Sequence, residues 1–352
     1  MQRNNYRELI QGVRNRLDPE SRVFTKSLNE DLSTLSYGEV REYVNYAMRA
    51  VDTDYTARSK QAGERVKNHL IDGGISADFK YQGSVMTDTH IKGVSDIDLL
   101  AVSKQFYSCD NAGIKKVLED AEARRRYYTS QIEKLKREEA APLYKGDVCS
   151  DLCRLRVGSE TVLCDVYTVC DISKPKSIKI RNKDLGRDVD VVIANWYDDV
   201  NSIVNDKGDS RGIQVYNKLL NVRGKIDFPF MSIDRINSRS AETGGRLKKM
   251  IRFLKNIKAK SSLSIDLTSF DFNAICYSIA VDDYQSISFY ELVFVLQYHL
   301  TRISSSSLLS DNVKSVDGKE YIFKDNPQKL QGLKNIIAEI DVVATDLRTQ
   351  IL

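Results

Sequence analysis

Asp96 and Asp98 stand one residue apart at the head of an apolar run in KYQGSVMTDTHIKGVSDIDLLAV, residues 80–102. On a strand, residues i and i+2 share a face, so the two carboxylates lie side by side. A buried carboxylate is costly unless it is paired or holds a cation. The stretch from 94 to 103 has no basic residue, the next being Lys104. The pair therefore calls either for an ion or for a basic partner that the fold brings from elsewhere in the chain. Mg2+ suits it, because that cation takes hard oxygen ligands and shares its shell with phosphates. Two such ions, roughly 3.5–4 Å apart, are the mark of phosphoryl and nucleotidyl transfer. A third acid, Asp165, sits alone in VLCDVYTV. That segment reads as the second arm of a hairpin turning at GSE, residues 158–160, which carries the carboxylate in mid-strand.

Upstream, Gly83-Ser84 adds the complementary feature. A glycine lets the backbone approach a phosphate closely. Amides of a turn form an anion-binding concavity, and the Ser84 hydroxyl is a further donor. Eleven residues separate Ser84 from Asp96, enough for one helical turn and a return to the strand.

The elements that must position these groups follow from periodicity. Residues 37–71 repeat apolar side chains at three- and four-residue spacings and stop at Gly73-Gly74, which predicts a long spine helix. SADFKYQGS and DIDLLAVS read as strands. Residues 113–140 read as a charged, solvated helix, including Arg124, Arg125 and Arg126. Beyond VIANWYDDV the pattern is mostly helical. The expected architecture is α/β (α+β): a helical lead-in at 1–36, a mixed-sheet catalytic core at 37–200 and a helical lobe at 201–352. A cleft between lobes is the default site.

Composition bounds the rest. The 352 residues are 41% hydrophobic and 29% charged, with a net charge of +4. This is a soluble globule without the basic stripe of a duplex-DNA binder. MQRNNYRELIQGVRNRL lacks the apolar core of a signal peptide, and no apolar run is long enough to span a bilayer, so a cytoplasmic location, no membrane contact and no DNA ligand are expected. Six cysteines without a CxxC pair and three histidines argue against structural zinc or a His-based triad. Reduced thiols are expected.

QGSVMTDTHIKGVSDIDLLAV resembles the nucleotidyltransferase signature of the polymerase-β-like superfamily. SDIDLL, the long helix before it and GGRLKKMIRFLKNIK are most similar to the bacterial CD-NTases, the DncV-like relatives of cyclic GMP-AMP synthase. The resemblance covers most of residues 37–280. It implies a monomeric enzyme that joins nucleoside triphosphates into a cyclic di- or trinucleotide signal for anti-phage defence, acting on an effector. Asp96, Asp98 and Asp165 would hold two Mg2+, or Mn2+. Gly83 and Ser84 would cradle the β- and γ-phosphates, and Lys255 and Ser269 would contact the triphosphate. Lys248, Lys249 and Lys258 lie on the same helix. Two departures stand out. Asp88-Thr89 replaces a common Gly-Thr, which asks Asp88 for left-handed turn geometry. The third acid lacks the proline that often follows it, which leaves Asp151 and Asp171 as alternatives. Two rival readings remain: a template-independent RNA or tRNA nucleotidyltransferase, and a catalytically inactive nucleotide-binding regulator.

Overall fold

Leu99, Leu100, Ala101 and Val102 are fully buried, so the strand that follows the aspartate pair is an inner one, covered on both faces. The computed structural model describes residues 6–14, 38–91 and 96–351. That strand is β2 (Ile97–Cys109). It pairs antiparallel with β1 (Ala77–Gln82) and parallel with β5 (Arg187–Asp198). β3 (Cys170–Asp171) and β4 (Ile178–Asn182) continue the sheet antiparallel beyond β5. β6 (Gly212–Asn217) pairs with the second half of β5 and carries β7 (Val222–Asp227) on its outer side. The sheet is therefore mixed, as an α/β reading requires.

By their contacts the residues fall into two units, neither continuous in sequence. One comprises Ala57–Gly83 and Asp96–Ile233 and holds this sheet. One of its apolar layers joins Leu100, Val102, Val192 and Ala194 with Trp196 and Phe230. The other takes the described parts of Met1–Thr56, Ser84–Ser95 and Asp234–Leu352. Its core packs α1 (Tyr6–Arg14), α2 (Glu39–Met48), α9 (Arg246–Lys260), α10 (Ser269–Tyr277), α11 (Leu292–Ser304) and α12 (Pro327–Ile351). Val40, Tyr43, Val44 and Ala47 of α2 meet Leu247, Met250, Ile251 and Leu254 of α9 there, as their three- and four-residue spacing dictates. These units do not follow the linear division at 36 and 200. Residues 15–36 of the expected lead-in lie outside the described residues.

Five local expectations need correction. The spine helix is two helices, α2 and α3 (Thr53–Asp72). Asp52 breaks it: its carboxylate accepts the Asp54 amide at 2.8 Å, the bond of an N-terminal cap. The expected helix at 113–140 is divided, with α4 (Asn111–Glu119) and α5 (Thr129–Glu139) as its two longer parts. The expected hairpin around GSE is α6 (Val148–Val166), capped by Asp147 on the Ser150 amide at 2.6 Å. Leu152, Arg156, Ser159 and Leu163 form its buried face, a helical spacing that the β-branched residues nearby had masked. Between α7 (Val200–Val204) and α8 (Pro229–Glu242) the chain forms β6 and β7, where helix was expected. Finally, the end of α6 and β3 bring Cys164 and Cys170 together as a disulfide, with Cα atoms 5.4 Å apart. Cys109, Cys149, Cys153 and Cys276 are free thiols, so reduced cysteines hold for those four only.

Candidate active site

The parallel register of β2 and β5 sets Ile97 opposite Val189 and Asp98 opposite Asp190. Opposed residues on paired strands point to one face, so Asp98 and Asp190 are direct neighbours. β4 adds Lys179 opposite Asp190. Its ammonium reaches Asp96 at 2.5 Å and Asp188 at 3.4 Å, and Lys174 approaches Asp190 at 4.0 Å. Burial, followed by the charges of Asp190 and Asp96, pushes the Asp98 carboxyl up to about 7. Burial also raises Asp190, whose Oδ1 is buried without a hydrogen-bond partner. Such a row resists full ionisation unless cations enter it. Among the described residues no three acidic, histidine or cysteine side chains are drawn into a formed metal-ligand cluster, and Asp96 is engaged by Lys179 instead. A buried carboxylate oxygen that accepts no hydrogen bond, beside a carboxyl held near neutrality, is nonetheless a donor set suited to a hard divalent ion. Gly83 closes on this row. At φ +83° it sits so near that a Cβ built there would meet the Asp98 carboxylate.

In the other unit, residues 84–91 form a loop wound against α9. The Thr89 amide donates to the Ser84 carbonyl at 2.9 Å, and the hydroxyls of Thr87 and Thr89 meet at 2.8 Å. Asp88 takes φ +51°, the left-handed turn geometry asked of it. Arg252 donates to the Asp88 carbonyl at 2.6 Å and to the Met48 carbonyl at 2.8 Å. Lys255 donates to the Thr89 carbonyl at 2.9 Å. His90, bonded to the Thr56 hydroxyl at 3.1 Å, is driven down to about 4, mainly by burial, and so is neutral at physiological pH. The loop is thus held by the side chains of Arg252 and Lys255, which donate to its carbonyls.

The sequence-expected residues fare unequally. Asp96 and Asp98 lie beside one another, and Gly83 is against them. Asp165 is exposed on α6, 200° around the helix from buried Leu163 by the 3.6-residue turn. It is not in mid-strand and not beside the pair, a correction that follows from the helix. Asp151 is buried on α6 but accepts from Tyr144 and Arg154. Asp171 is exposed and turned onto Ser173 at 2.6 Å. Lys255 is 5% exposed, with its ammonium on the loop carbonyl. Lys258 bonds the Leu267 carbonyl at 2.6 Å, while Lys248 and Lys249 are half-buried. Ser269 is exposed in the first turn of α10, behind the Thr268 cap.

Residues 234–344 match the cGAS/DncV-like nucleotidyltransferase C-terminal helical domain. A c-di-GMP synthase of Capnocytophaga granulosa is 45% identical over 353 residues, 99% of each chain. The chain belongs to the cGAS/DncV-like nucleotidyltransferases. A c-di-GMP synthase of a Lachnospiraceae bacterium is 41% identical, covering 97% of this chain and 98% of that one. A STING-associated CdnE c-di-GMP synthase from Flavobacteriaceae sp. superposes on this cGAS/DncV-like nucleotidyltransferase with a TM-score of 0.87, at 38% identity over 99% of each chain. As a member of that family it is a cyclic-dinucleotide-forming nucleotidyltransferase. No helix among its described residues is long and apolar enough to cross a membrane.

The acid that sequence reasoning missed in this nucleotidyltransferase, Asp190, had a visible signal. SDIDLLAV and RDVDVVIA repeat one pattern, Asp-x-Asp followed by an apolar run, and the sheet sets the two runs side by side. Two outcomes follow for the reassigned residues. Asp165→Ala, on an exposed helix face, should leave product formation within roughly twofold of wild type in a radiolabelled NTP assay. Lys255 carries a pH signature. Burial, then Arg252, lowers it from 10.5 to about 7. Its folded value thus lies below its unfolded one, and the unfolded chain binds the extra proton between them. Stability therefore rises with pH across that window. From pH 7 to 9 the wild type should gain roughly 2 kcal/mol relative to Lys255→Met. Parallel melting curves in urea with no such difference would show that Lys255 is charged in the fold.

Proposed function

We propose that this enzyme condenses two GTP molecules into c-di-GMP. The row Asp96, Asp98 and Asp190 would be its carboxylate triad, and the product would be a signal to a STING-type sensor in anti-phage defence. The observation that carries the reading is the parallel register that stands Asp190 beside Asp98, in a chain 45% identical to a c-di-GMP synthase. In each of two rounds a ribose hydroxyl oxygen forms a bond to the α-phosphorus of the other nucleotide. The bond from that phosphorus to the bridging oxygen breaks, and pyrophosphate leaves. Asp190, whose Oδ1 accepts no hydrogen bond and meets only the Lys174 ammonium at 4.0 Å, would take the hydroxyl proton. Gly83 permits close approach of the triphosphate, and the Ser84 hydroxyl would donate to its outer phosphates. Lys255 and Arg252 keep the 84–91 loop in shape, and Ser269 donates from the first turn of α10. Asp96, Asp98 and Asp190 would hold Mg2+ or Mn2+, which when bound neutralises phosphate charge and activates the hydroxyl. The protein's share is positioning and preorganised charge.

The test is incubation with each labelled ribonucleoside triphosphate and Mg2+ or Mn2+, followed by phosphatase and mass identification. A phosphatase-resistant product of two guanylates, formed from GTP alone, is expected. Phosphatase-sensitive linear products, or a ring that requires another base, would overturn the assignment.

A further inference from the structure

At the far end of β2 and β5 from the carboxylates, the sheet-bearing unit holds a cavity of about 720 Å³, within the range of small-molecule sites. Asp190 and Trp196 are six residues apart on β5, roughly 20 Å at ~3.3 Å per residue, so this is not the carboxylate site. Trp196 is 6% exposed and forms part of the lining. Its indole N–H donates to Asp78 at 3.1 Å, and the Arg211 guanidinium lies 4.5 Å above its ring. Phe106 and Tyr144 line another part, stacked at 5.2 Å between centroids.

The charges of the lining decide what it would hold. Arg211 is committed to Asp198 through two bonds, at 2.7 and 3.0 Å. Lys104 faces Asp78 at 3.7 Å. Arg223, on β7, has no carboxylate partner among the described residues. It donates instead to the Ser108 hydroxyl at 2.5 Å and to the Gln214 side chain at 3.2 Å. Behind Ser108 stands Asn195, wholly buried, with its amide nitrogen on that hydroxyl at 3.2 Å and its Oδ1 unpartnered. A buried polar network with an open valence is expensive to maintain for packing alone. Here it orients one guanidinium that no carboxylate engages: of the acids on the lining, Asp78 faces Lys104, Glu138 pairs with Lys207 at 3.2 Å and Glu139 is exposed to solvent. A guanidinium of that kind recognises a planar or tetrahedral oxyanion, and the stacked rings beside it accept a flat aromatic system.

We propose that this cavity is a second ligand site, separate from the carboxylates, for a small aromatic anion: a flat ring bearing a phosphate or carboxylate that Arg223 binds. Trp196 is the chain's single tryptophan, so its emission reports on this cavity directly. Full-length protein would be titrated with GMP and, separately, with benzoate, following emission with excitation at the red edge to limit absorption by the probe. A saturable change is expected with GMP, equally in wild type and in Asp98→Asn, and weakened roughly 10- to 100-fold in Arg223→Gln. A saturable, Arg223-dependent response to benzoate but not GMP would support the site and assign the anion as a carboxylate. Should Arg223→Gln fail to fold, Ser108→Ala, which removes the hydroxyl that holds the guanidinium, should weaken binding in the same sense. No saturable change up to about 5 mM with either probe, or equal affinity in the Arg223 and Ser108 variants, would overturn the proposal.

Discussion

Asp98→Asn should lower cyclic dinucleotide formation by about 10³-fold or more, yet leave the protein more stable than wild type in buffer without divalent ions. Both signs come from one side chain. Asp98 is raised to about 7 because burial and two neighbouring carboxylates oppose its charge. At pH 8 the folded wild type carries that charge against opposition, a burden on the order of a few kcal/mol. Asparagine is nearly isosteric and neutral, so the burden goes. What also goes is an anionic oxygen where cations and the reacting phosphate would meet, and losses of about 10²–10³ follow from single electrostatic contacts at such sites. Added Mg2+ or Mn2+ should raise the wild-type melting temperature and leave Asp98→Asn unmoved. A variant that melts below wild type without metal would mean that Asp98 serves the fold and not the chemistry.

Gly83→Ala should cost at least about 100-fold in activity and several degrees of melting temperature, whereas Gly74→Ala should cost only the latter. The two glycines make an internal control. Gly74 has φ +80° and Gly83 has φ +83°, so each substitution meets the same left-handed strain, roughly 1–2 kcal/mol. Around Gly74 a new Cβ finds nothing within 4 Å. At Gly83 it lands on the Asp98 carboxylate. The carboxylate would have to turn away, and displacement of about 1 Å at a reacting centre is enough for a 10²-fold loss. Initial rates and thermal melts of the two variants, measured together, separate strain from collision. Equal rates for both would remove Gly83 from the site.

Asp96, Asp98 and Gly83 were legible because local rules govern them: acids at the head of a buried strand, and a glycine at a turn. Asp190 was legible only as a pattern, the Asp-x-Asp of RDVDVVIA; its place beside Asp98 depends on which strand pairs with β2, a long-range choice that β2's own residues do not encode. Attention went to Asp165, where VLCDVYTV alternates like a strand. Asp147 as a cap and the Leu152–Arg156–Ser159–Leu163 face outweighed that alternation, because a helix buries this set and a hairpin would not. Lys255 shows the opposite kind of difficulty. Its place on a helix was plain, but its 5% exposure and its bond to the Thr89 carbonyl follow from how the 84–91 loop folds back on α9. The strands β6 and β7 were hidden in a segment flanked by helices on both sides.

The chain passes between its two units four times, and residues 84–95 belong to one while their flanks at 83 and 96 belong to the other. This interleaving bears on heredity. A single recombination event near residue 233, inside α8, would transmit the rest of α8 and α9 to α12 but not α2 or the 84–91 loop. Arg252 and Lys255 would arrive without the carbonyls of Met48, Asp88 and Thr89 that they hold, and the apolar face of α9 would lose the α2 side chains that cover it. Genes of this design can therefore diversify by substitution within a unit or by inheriting the whole reading frame. They cannot trade their helical portion as a cassette.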